Sequence, residues 1–432
     1  MAENFKKIIT VTQTSSKFER EKLIKPFGFK GGYLTELWQI ASELNTQSGN
    51  TAIGLATQSV LYGDADLFAA NSEDDANHLM YAVTNKALQL VKRTPFTDPL
   101  QLLDDILPEL MKQAKVITQK TDLHINFIHN ALVSVDNAAW LLYAAENRIK
   151  SFDEMIPNAY KKTLAHQNKK VALVWLISYG AAIEEILRAV KQGYFIFKIK
   201  TGHPGTQEQM LQADIERLTQ VHKVLKDIRT TQTPGGKLLY TMDANGRYEN
   251  KETLLRYLDH AKAIGAWEHI LLYEEPLSED NSEYVGDTGI RMAADESVYD
   301  ETSALRRMAQ GYNVIVLKGI AKTLSLSMKI AALAAEKGIP CICSDLTVNP
   351  ILVEWHRNLA ARLAPFPGLQ MGVMETNGNA NYMNWDSMVK YHTAAGAGWM
   401  QVKDGAFELD NKFYQESGGI FKQSEHYSAL FK

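Results

Sequence analysis

The chain lacks the features that mark a secreted, membrane or nucleic-acid-binding protein. Its 432 residues include only two cysteines, Cys341 and Cys343. Two apart in an apolar, strand-like run, they point to the same side of it, which argues against a disulfide between them. No Cys/His partner pattern accompanies them, so they read as small residues of a reduced strand. Blocks of basic charge are missing as well. Lysine and arginine (46) are interspersed with aspartate and glutamate (50), for a formal charge of −4, and nucleic acid is not an expected partner. No apolar stretch approaches the length of a membrane span, and the opening MAENFKKIITVTQ has no apolar core long enough for a signal peptide. A cytoplasmic protein without a membrane partner is expected. There is no low-complexity tract and no internal repeat beyond a strand–helix unit.

What is present is a globular composition, 45% hydrophobic and 22% charged, in a chain too long for one ordinary core. Two domains follow. In the first part of the chain, KKIITVTQTSSKF and TAIGLATQSVLY read as strands, with SELNTQSGN between them as a turn-rich connection. DANHLMYAVTNKALQLV and PLQLLDDILPELMKQA have helical spacing, and Thr97-Asp98-Pro99 suits a helix start. After the long helical stretch LHINFIHNALVSVDNAAWLLYAAENR, strand-like runs alternate with helices, the pattern of parallel βα units. Eight such runs (VALVWLIS, YFIFKIK, KLLYTMD, HILLYEE, IRMAADE, NVIVLKG, PCICSDL and GLQMGVME) match a closed barrel. The expected fold class is α/β: a modified TIM (β/α)8 barrel over residues 131–385, an α+β capping domain over 1–130, and a segment over 386–432 that returns to the cap.

The barrel strands end on charge. Lys198 and Lys200 close one run, Asp243, Glu274 and Asp295 close the next three, and Lys318 closes a fifth. A buried parallel strand reads as a continuous apolar run, so a charge at its end lies at the barrel rim, where catalytic residues of this architecture converge. Side chains alternate along a strand, so Lys198 and Lys200 enter one space. Alone, a Lys-x-Lys pair is most simply a solvated strand end, and each acid a helix cap. Together, three carboxylates suit a hard divalent cation such as Mg²⁺. Lysines crowded by cations and a desolvating wall are expected to lose proton affinity and serve as bases.

In combination these motifs resemble the enolase superfamily, in its muconate-lactonizing branch: the mandelate racemase/muconate lactonizing enzyme family, dipeptide epimerase-like. Lys198-x-Lys200, Asp243 and Asn245 of DAN, Glu274 of E-x-P, Asp295 of DES and Lys318 carry the resemblance, which covers nearly the whole chain. It implies that Asp243, Glu274 and Asp295 bind Mg²⁺, with Mn²⁺ as a substitute. It also implies that Lys200 and Lys318 lie on opposite faces of a small carboxylate substrate, that Lys198 tunes Lys200, and that Asn245 and Glu296 support the metal ligands from outside. The activity implied is an isomerase, a racemase or epimerase that abstracts the proton α to a carboxylate through an enediolate, acting on an amino-acid derivative or dipeptide. The same intermediate can expel a leaving group, so a carbon–oxygen lyase or cycloisomerase (sugar-acid dehydratase, o-succinylbenzoate synthase-like or muconate cycloisomerase-like) is the alternative. A Schiff-base aldolase using Lys318 is a further one. A homo-oligomer is expected.

Two strand ends depart from the family pattern. Dipeptide epimerases of this branch carry Asp-x-Asp after strand eight, where this chain has Glu375-Thr376-Asn377. Strand seven ends in Ser344-Asp345-Leu346-Thr347 in place of a Gly-rich turn. Asp345, Glu375 and Asn377 are therefore candidate substrate-binding residues, with Glu375 expected to grip a cationic or hydroxyl-bearing group. Glu275 is an acid without an assigned role. From the cap, the aromatic residues near Phe27, Phe29 and Tyr62 either seal the site or belong to the cap core. His203 and His356 have no ligand-spaced partner and read as ordinary polar residues.

Overall fold

The computed structural model describes residues 7–432. Residues 1–6, the first part of the segment without a signal-peptide core, lie outside it. Three antiparallel strands open the chain: β1 (Val11–Phe29), β2 (Gly32–Thr46) and β3 (Thr51–Gln58), in that order. Sequence reading missed β2 and stopped β1 at Phe18. β1 is an edge strand whose charged stretch is mostly exposed, so it lacks the half-buried alternation that marks a strand. Its two-residue turn is Lys30-Gly31, both at positive φ (49° and 80°). This is the geometry of a tight hairpin, but without the Asn-Gly or Asp-Gly signature. β3 ends at Gln58, and Val60–Gly63, expected as strand up to Tyr62, is a helical turn.

Helices Glu73–Val91, Pro99–Thr118 and Ile125–Asn147 pack behind this sheet. Ser72 and Asp98 cap the first two, and Pro99 occupies the first turn of the second. Helix Ile125–Asn147 is buried along most of its length. It approaches β3 so closely at Gly54 that a Cβ there would stand 2.1 Å from the Ser134 carbonyl oxygen. The same helix is bolted to the barrel. Asn126 donates to the Glu296 carbonyl (2.9 Å), Trp140 Nε1 to Ser325 Oγ (3.0 Å), and Asp136 accepts from the Ser325 amide (3.1 Å). One helix thus runs through residues 130 and 131 and belongs to both layers.

The barrel comprises β4 (Lys170–Ile177), β5 (Ile196–Lys200), β6 (Leu239–Asp243), β7 (Ile270–Glu274), β8 (Met292–Ala294), β9 (Val314–Leu317), β10 (Cys341–Cys343) and β11 (Gly372–Glu375). All eight are parallel in chain order, and β11 pairs with β4 to close the ring. Cys341 and Cys343 are free and buried in β10. Near the C-terminus β12 (Val402–Lys403) and β13 (Ala406–Glu408) form a hairpin, and β13 pairs antiparallel with the first half of β4. Further on, Gln423 donates to the Thr51 carbonyl (2.8 Å) and His426 meets Glu19 (2.8 Å), tying the tail to the N-terminal sheet. Among the described residues no helix is long and apolar enough to cross a membrane.

Candidate active site

Ring closure brings the charged strand ends together. Lys198 and Lys200 are the third and fifth residues of β5, Asp243 ends β6 and Glu274 ends β7. Asp295 and Lys318 directly follow β8 and β9, Ser344 and Asp345 follow β10, and Glu375 ends β11. Register places Lys200 beside Asp243 and Asp243 beside Glu274. β5 and β9 stand four strands apart in a ring of eight, so Lys200 and Lys318 rise from opposite sides of the barrel. Both line one cavity of ≈ 490 Å³, mouth included, with Lys198, Asp243, Asn245, Glu296, Ser344, Asp345, Glu375 and Asn377. Phe27, Phe29, Leu34, Ser59 and Tyr62 of the N-terminal domain complete its wall. The aromatic residues at the end of β1 and in the turn after β3 therefore face the site.

The carboxylates and lysines neutralise one another. Lys200 donates to Asp243 (2.6 Å) and to Asn245 Oδ1, and Asn245 Nδ2 donates to Glu296 (2.8 Å). Lys318 donates to Asp295 and lies 4.6 Å from the centre of the Tyr62 ring. Lys198 Nζ lies 2.8 Å from both Glu274 and Glu375 and 3.6 Å from Asp243. Burial alone would lower the lysine pKa values. For Lys198 the pull of Glu274, Glu375 and Asp243 outweighs it, and for Lys318 that of Asp295 and Glu296, so both are held well above the ordinary lysine range. In this state Lys198 and Lys318 thus do not have the depressed pKa that cation crowding would give, because their ammonium groups sit against carboxylates. Burial likewise opposes ionisation of Asp243 and Asp295, but the lysines lower both carboxyls. Glu274 goes the other way: burial and the charges of Asp243 and Asp295 raise it well above the carboxylate range despite Lys198.

Fit to a metal rests on Glu274. With the lysines between them, the acids are not drawn around a common point, and among the described residues no three His, Cys, Asp or Glu side chains surround one. Yet Glu274 is fully buried, and neither of its oxygens has an aligned hydrogen-bond donor. A buried carboxylate in that condition is costly. Two further carboxylates at neighbouring strand ends complete an oxygen-only donor set, which fits a hard divalent cation. The backbone just beyond this rim is strained, with Asn245 (φ 47°) and Glu275 (φ 37°) in the left-handed region, a conformation that costs roughly 1–3 kcal/mol for residues other than glycine.

The remaining candidates separate. Glu375 is already engaged, bonded to Lys198 and accepting from Ser344 Oγ at 2.8 Å. Asp345 accepts the Asn377 amide through Oδ2 (2.7 Å), and the Leu346 and Val348 amides also act on its buried carboxyl. Burial and the charge of Glu375 push its carboxyl up to about 7. The Asn377 side chain is taken by Thr347 Oγ1 (2.7 Å) and Asn381. Glu275 is structural, accepting the Asp295 amide (2.6 Å) and facing the buried Arg307 guanidinium at 3.5 Å. His356 Nε2 bonds the Ser344 carbonyl (2.8 Å) beneath the rim, and His203 pairs with Asp214.

Sequence reading missed Lys322 and Ser344. Lys322 is buried and donates to the Asp295 carbonyl (2.7 Å), Asp295 Oδ1 (3.2 Å) and the Val298 carbonyl (3.0 Å), so Asp295 is held by two lysines. A lysine four residues after Lys318, in a polar turn before a helix, carries no local sign of that burial. Ser344 bridges Lys198 (3.1 Å) to Glu375, and only the closed ring makes this pairing.

Comparison with known proteins agrees with this architecture. The family described as "Enolase C-terminal domain-like" matches residues 181–411. No curated protein matches the sequence. Among solved structures, a mandelate racemase/muconate lactonizing protein from Herpetosiphon aurantiacus superposes with a TM-score of 0.63 at 15% identity, covering 93% of this chain and 96% of that one. A dipeptide epimerase from Enterococcus faecalis V583, complexed with Mg and the dipeptide L-Leu-L-Tyr, gives 0.64 at 15% identity, with 93% and 98% covered. An N-succinyl Arg/Lys racemase from Bacillus cereus gives 0.60 at 15% identity, with 87% and 89% covered. At such identities the likeness speaks for the fold. With the family match over more than half its length, the chain belongs to the enolase superfamily, with the mandelate racemase/muconate lactonizing enzyme family.

Proposed function

We propose that the protein is a Mg²⁺-dependent racemase or epimerase that removes and returns the proton on the carbon next to a carboxylate. One observation carries the reading: Lys200 and Lys318 enter the same cavity from opposite sides of the barrel, each paired with a different carboxylate. A base on one face and an acid on the other invert a carbon held between them. Structures of racemases and dipeptide epimerases on the same fold are consistent with this chemistry.

Asp243, Glu274 and Asp295 would hold the cation. Bound there, it supplies Lewis-acid stabilisation of the charge that develops on the substrate carboxylate. Asp243 and Asp295, engaged as ligands, would no longer be free to pair with Lys200 and Lys318. One lysine can then be neutral while its counterpart stays charged, and their roles exchange between the two enantiomers. Lys198, between Glu274 and Glu375, keeps a positive charge near the acids. Phe27, Phe29 and Tyr62 exclude water from the mouth, which strengthens every electrostatic contact inside.

The test is incubation of a panel of dipeptides, N-acyl amino acids and sugar acids with Mg²⁺ in deuterated water. Inversion with uptake of one α-deuterium supports the reading. Loss of water, or a new double bond or ring without inversion, overturns it in favour of the lyase or cycloisomerase.

A further inference from the structure

The long helix Ile125–Asn147 carries a buried acid that the proposed reaction does not use. Asn126, His129, Asp136 and Trp140 follow one another at intervals of three, seven and four residues, so they share one side of a helix with 3.6 residues per turn. That side meets two turns of the barrel rim. Asn126 and His129 bond the Glu296 and Tyr299 carbonyls (2.9 and 3.0 Å) in the turn that begins with Asp295. Asp136 and Trp140 reach the start of helix Leu324–Glu336, which follows Lys318 and Lys322.

The first amides of a helix have no partner within it and carry partial positive charge, so an acceptor must come from elsewhere. Thr323, the residue before this helix, serves the Leu326 amide through its side chain, at 3.2 Å. Asp136, fully buried, accepts the Ser325 amide at 3.1 Å and the Ser325 hydroxyl, and the Leu324 amide acts on the same carboxyl. Thr323 itself has φ 75°. A β-branched residue at positive φ is strained, and it persists only where the structure on both sides fixes it. On one side Lys322 is fixed by its bonds to Asp295 and to the Val298 carbonyl. On the other side the fixed point is Ser325, held by Asp136. Lys318 belongs to the same turn, because its carbonyl accepts the Ala321 (2.9 Å) and Lys322 (2.7 Å) amides.

We propose that Asp136 is a positioning residue for Lys318: from helix Ile125–Asn147 it holds Ser325, and through the strained Thr323 turn it fixes where the Lys318 ammonium stands in the cavity. The inference rests on the racemase/epimerase reading, in which Lys318 serves one face of the substrate and Lys200 the other. Lys200, four strands away on β5, bonds Asp243 and Asn245 and no residue of this turn. Loss of Asp136 therefore shows on one face of the substrate.

The experiment measures α-deuterium exchange of each enantiomer separately, on a substrate from the panel above. Mg²⁺ is kept saturating, so that loosening of Asp295 through Lys322 does not enter. Asp136→Ala is expected to lower kcat by roughly ten- to a hundredfold for the enantiomer that Lys318→Ala fails to exchange, the effect of misplacing a reacting group by about 1 Å. KM and the opposite enantiomer should be nearly unchanged. Asp136→Asn, which keeps an oxygen for the Ser325 amide, should recover most of the lost rate. Ser325→Ala, which removes the hydroxyl but keeps the amide, should show the same asymmetry to a smaller extent, and it carries the test if Asp136→Ala does not fold. Asn137→Ala breaks the neighbouring bond to the Leu55 carbonyl of β3 (3.0 Å) instead. It should lower Tm and leave the ratio of the two enantiomers as in wild type. Independently of turnover, the amides of Leu324 and Ser325 should lose protection against hydrogen exchange in Asp136→Ala. The proposal falls if the Asp136 and Ser325 variants slow both enantiomers equally, if Asn137→Ala gives the same asymmetry, if Asp136→Asn recovers none of the rate, or if the two amides keep their protection. Those outcomes leave the racemase reading standing. Absence of α-exchange with every compound overturns both.

Discussion

The rim from β5 to β9 and the wall after β10 solve the problem of buried charge in different ways. On the rim Asp243 and Asp295 each have a lysine within hydrogen-bonding reach, and Asp295 has two. On the wall Asp345 has no lysine or arginine paired with it, and backbone amides, that of Asn377 at 2.7 Å, hold its carboxyl. An internally balanced cluster can exchange partners without leaving a bare charge, as proton transfer and cation binding require. A carboxyl held by backbone amides alone has no such exchange available. Paired charge thus lies at one end of the cavity and a carboxyl held by backbone amides at the other.

The strongest way to break this comparison is to remove charge from the rim. Asp243→Asn and Asp295→Asn are each expected to abolish measurable turnover and Mg²⁺ binding, read by calorimetry and by exchange assay. Near-normal rates in either variant, surviving chelation, would mean that the acids do not hold a metal. Next in size are the lysines. Lys200→Ala and Lys318→Ala should each lose racemisation by on the order of 10²–10⁴-fold. Each should still exchange the α-proton of one enantiomer, and the two variants should spare opposite enantiomers. Loss of all exchange in only one of them would point to a single-base elimination.

A smaller effect sharpens the role of the second lysine on Asp295. Lys322→Met removes three hydrogen bonds from the turn after β8 but leaves Lys318. It should weaken Mg²⁺ binding by roughly 10–100-fold, the range for partners that orient metal ligands. Unchanged affinity with only a lower Tm would reduce Lys322 to a packing role.

The smallest expected effect concerns the support beneath the wall. Burial holds the His356 imidazole down to about 4, against an ordinary value of 6.5, while its bond to the Ser344 carbonyl opposes that shift. The unfolded chain therefore binds more protons between pH 6.5 and 4. Stability from this group is complete above pH 6.5 and falls as pH drops towards 4, by at most about 1.4 kcal/mol per pH unit. Urea unfolding of His356→Gln should show a shallower acid slope than wild type. His129 and His392, also held at about 4 by burial, share the same window, so the slope should flatten in part only.

How much of this was legible follows from where each signal resides. The eight barrel strands were readable because a buried parallel strand is a local apolar run, and the charged residues at their ends marked the rim. Helix starts at Asp98 and Pro99 were readable for the same reason, since capping chemistry acts within one turn. The long β1–β2 hairpin was not, because an exposed edge strand such as EREKLIKP has no face to bury and its Lys-Gly turn has no distinctive signature. Which carboxylate each lysine meets was not legible, because the sequence carries the number of charges but not which of them touch.

The sequence by itself determined the order of strands and the set of charged side chains delivered to one rim, since both depend on residues only a few positions apart. The tertiary structure alone decided the partners. Lys198 meets Glu375 across 177 residues of chain because β11 closes on β4. Ring closure also supplied Ser344 as the hydroxyl donor to Glu375, and the Asn377 amide after β11 as the donor to Asp345 after β10. Distances between strand ends are set by the closure of the whole barrel, and no local pattern encodes them.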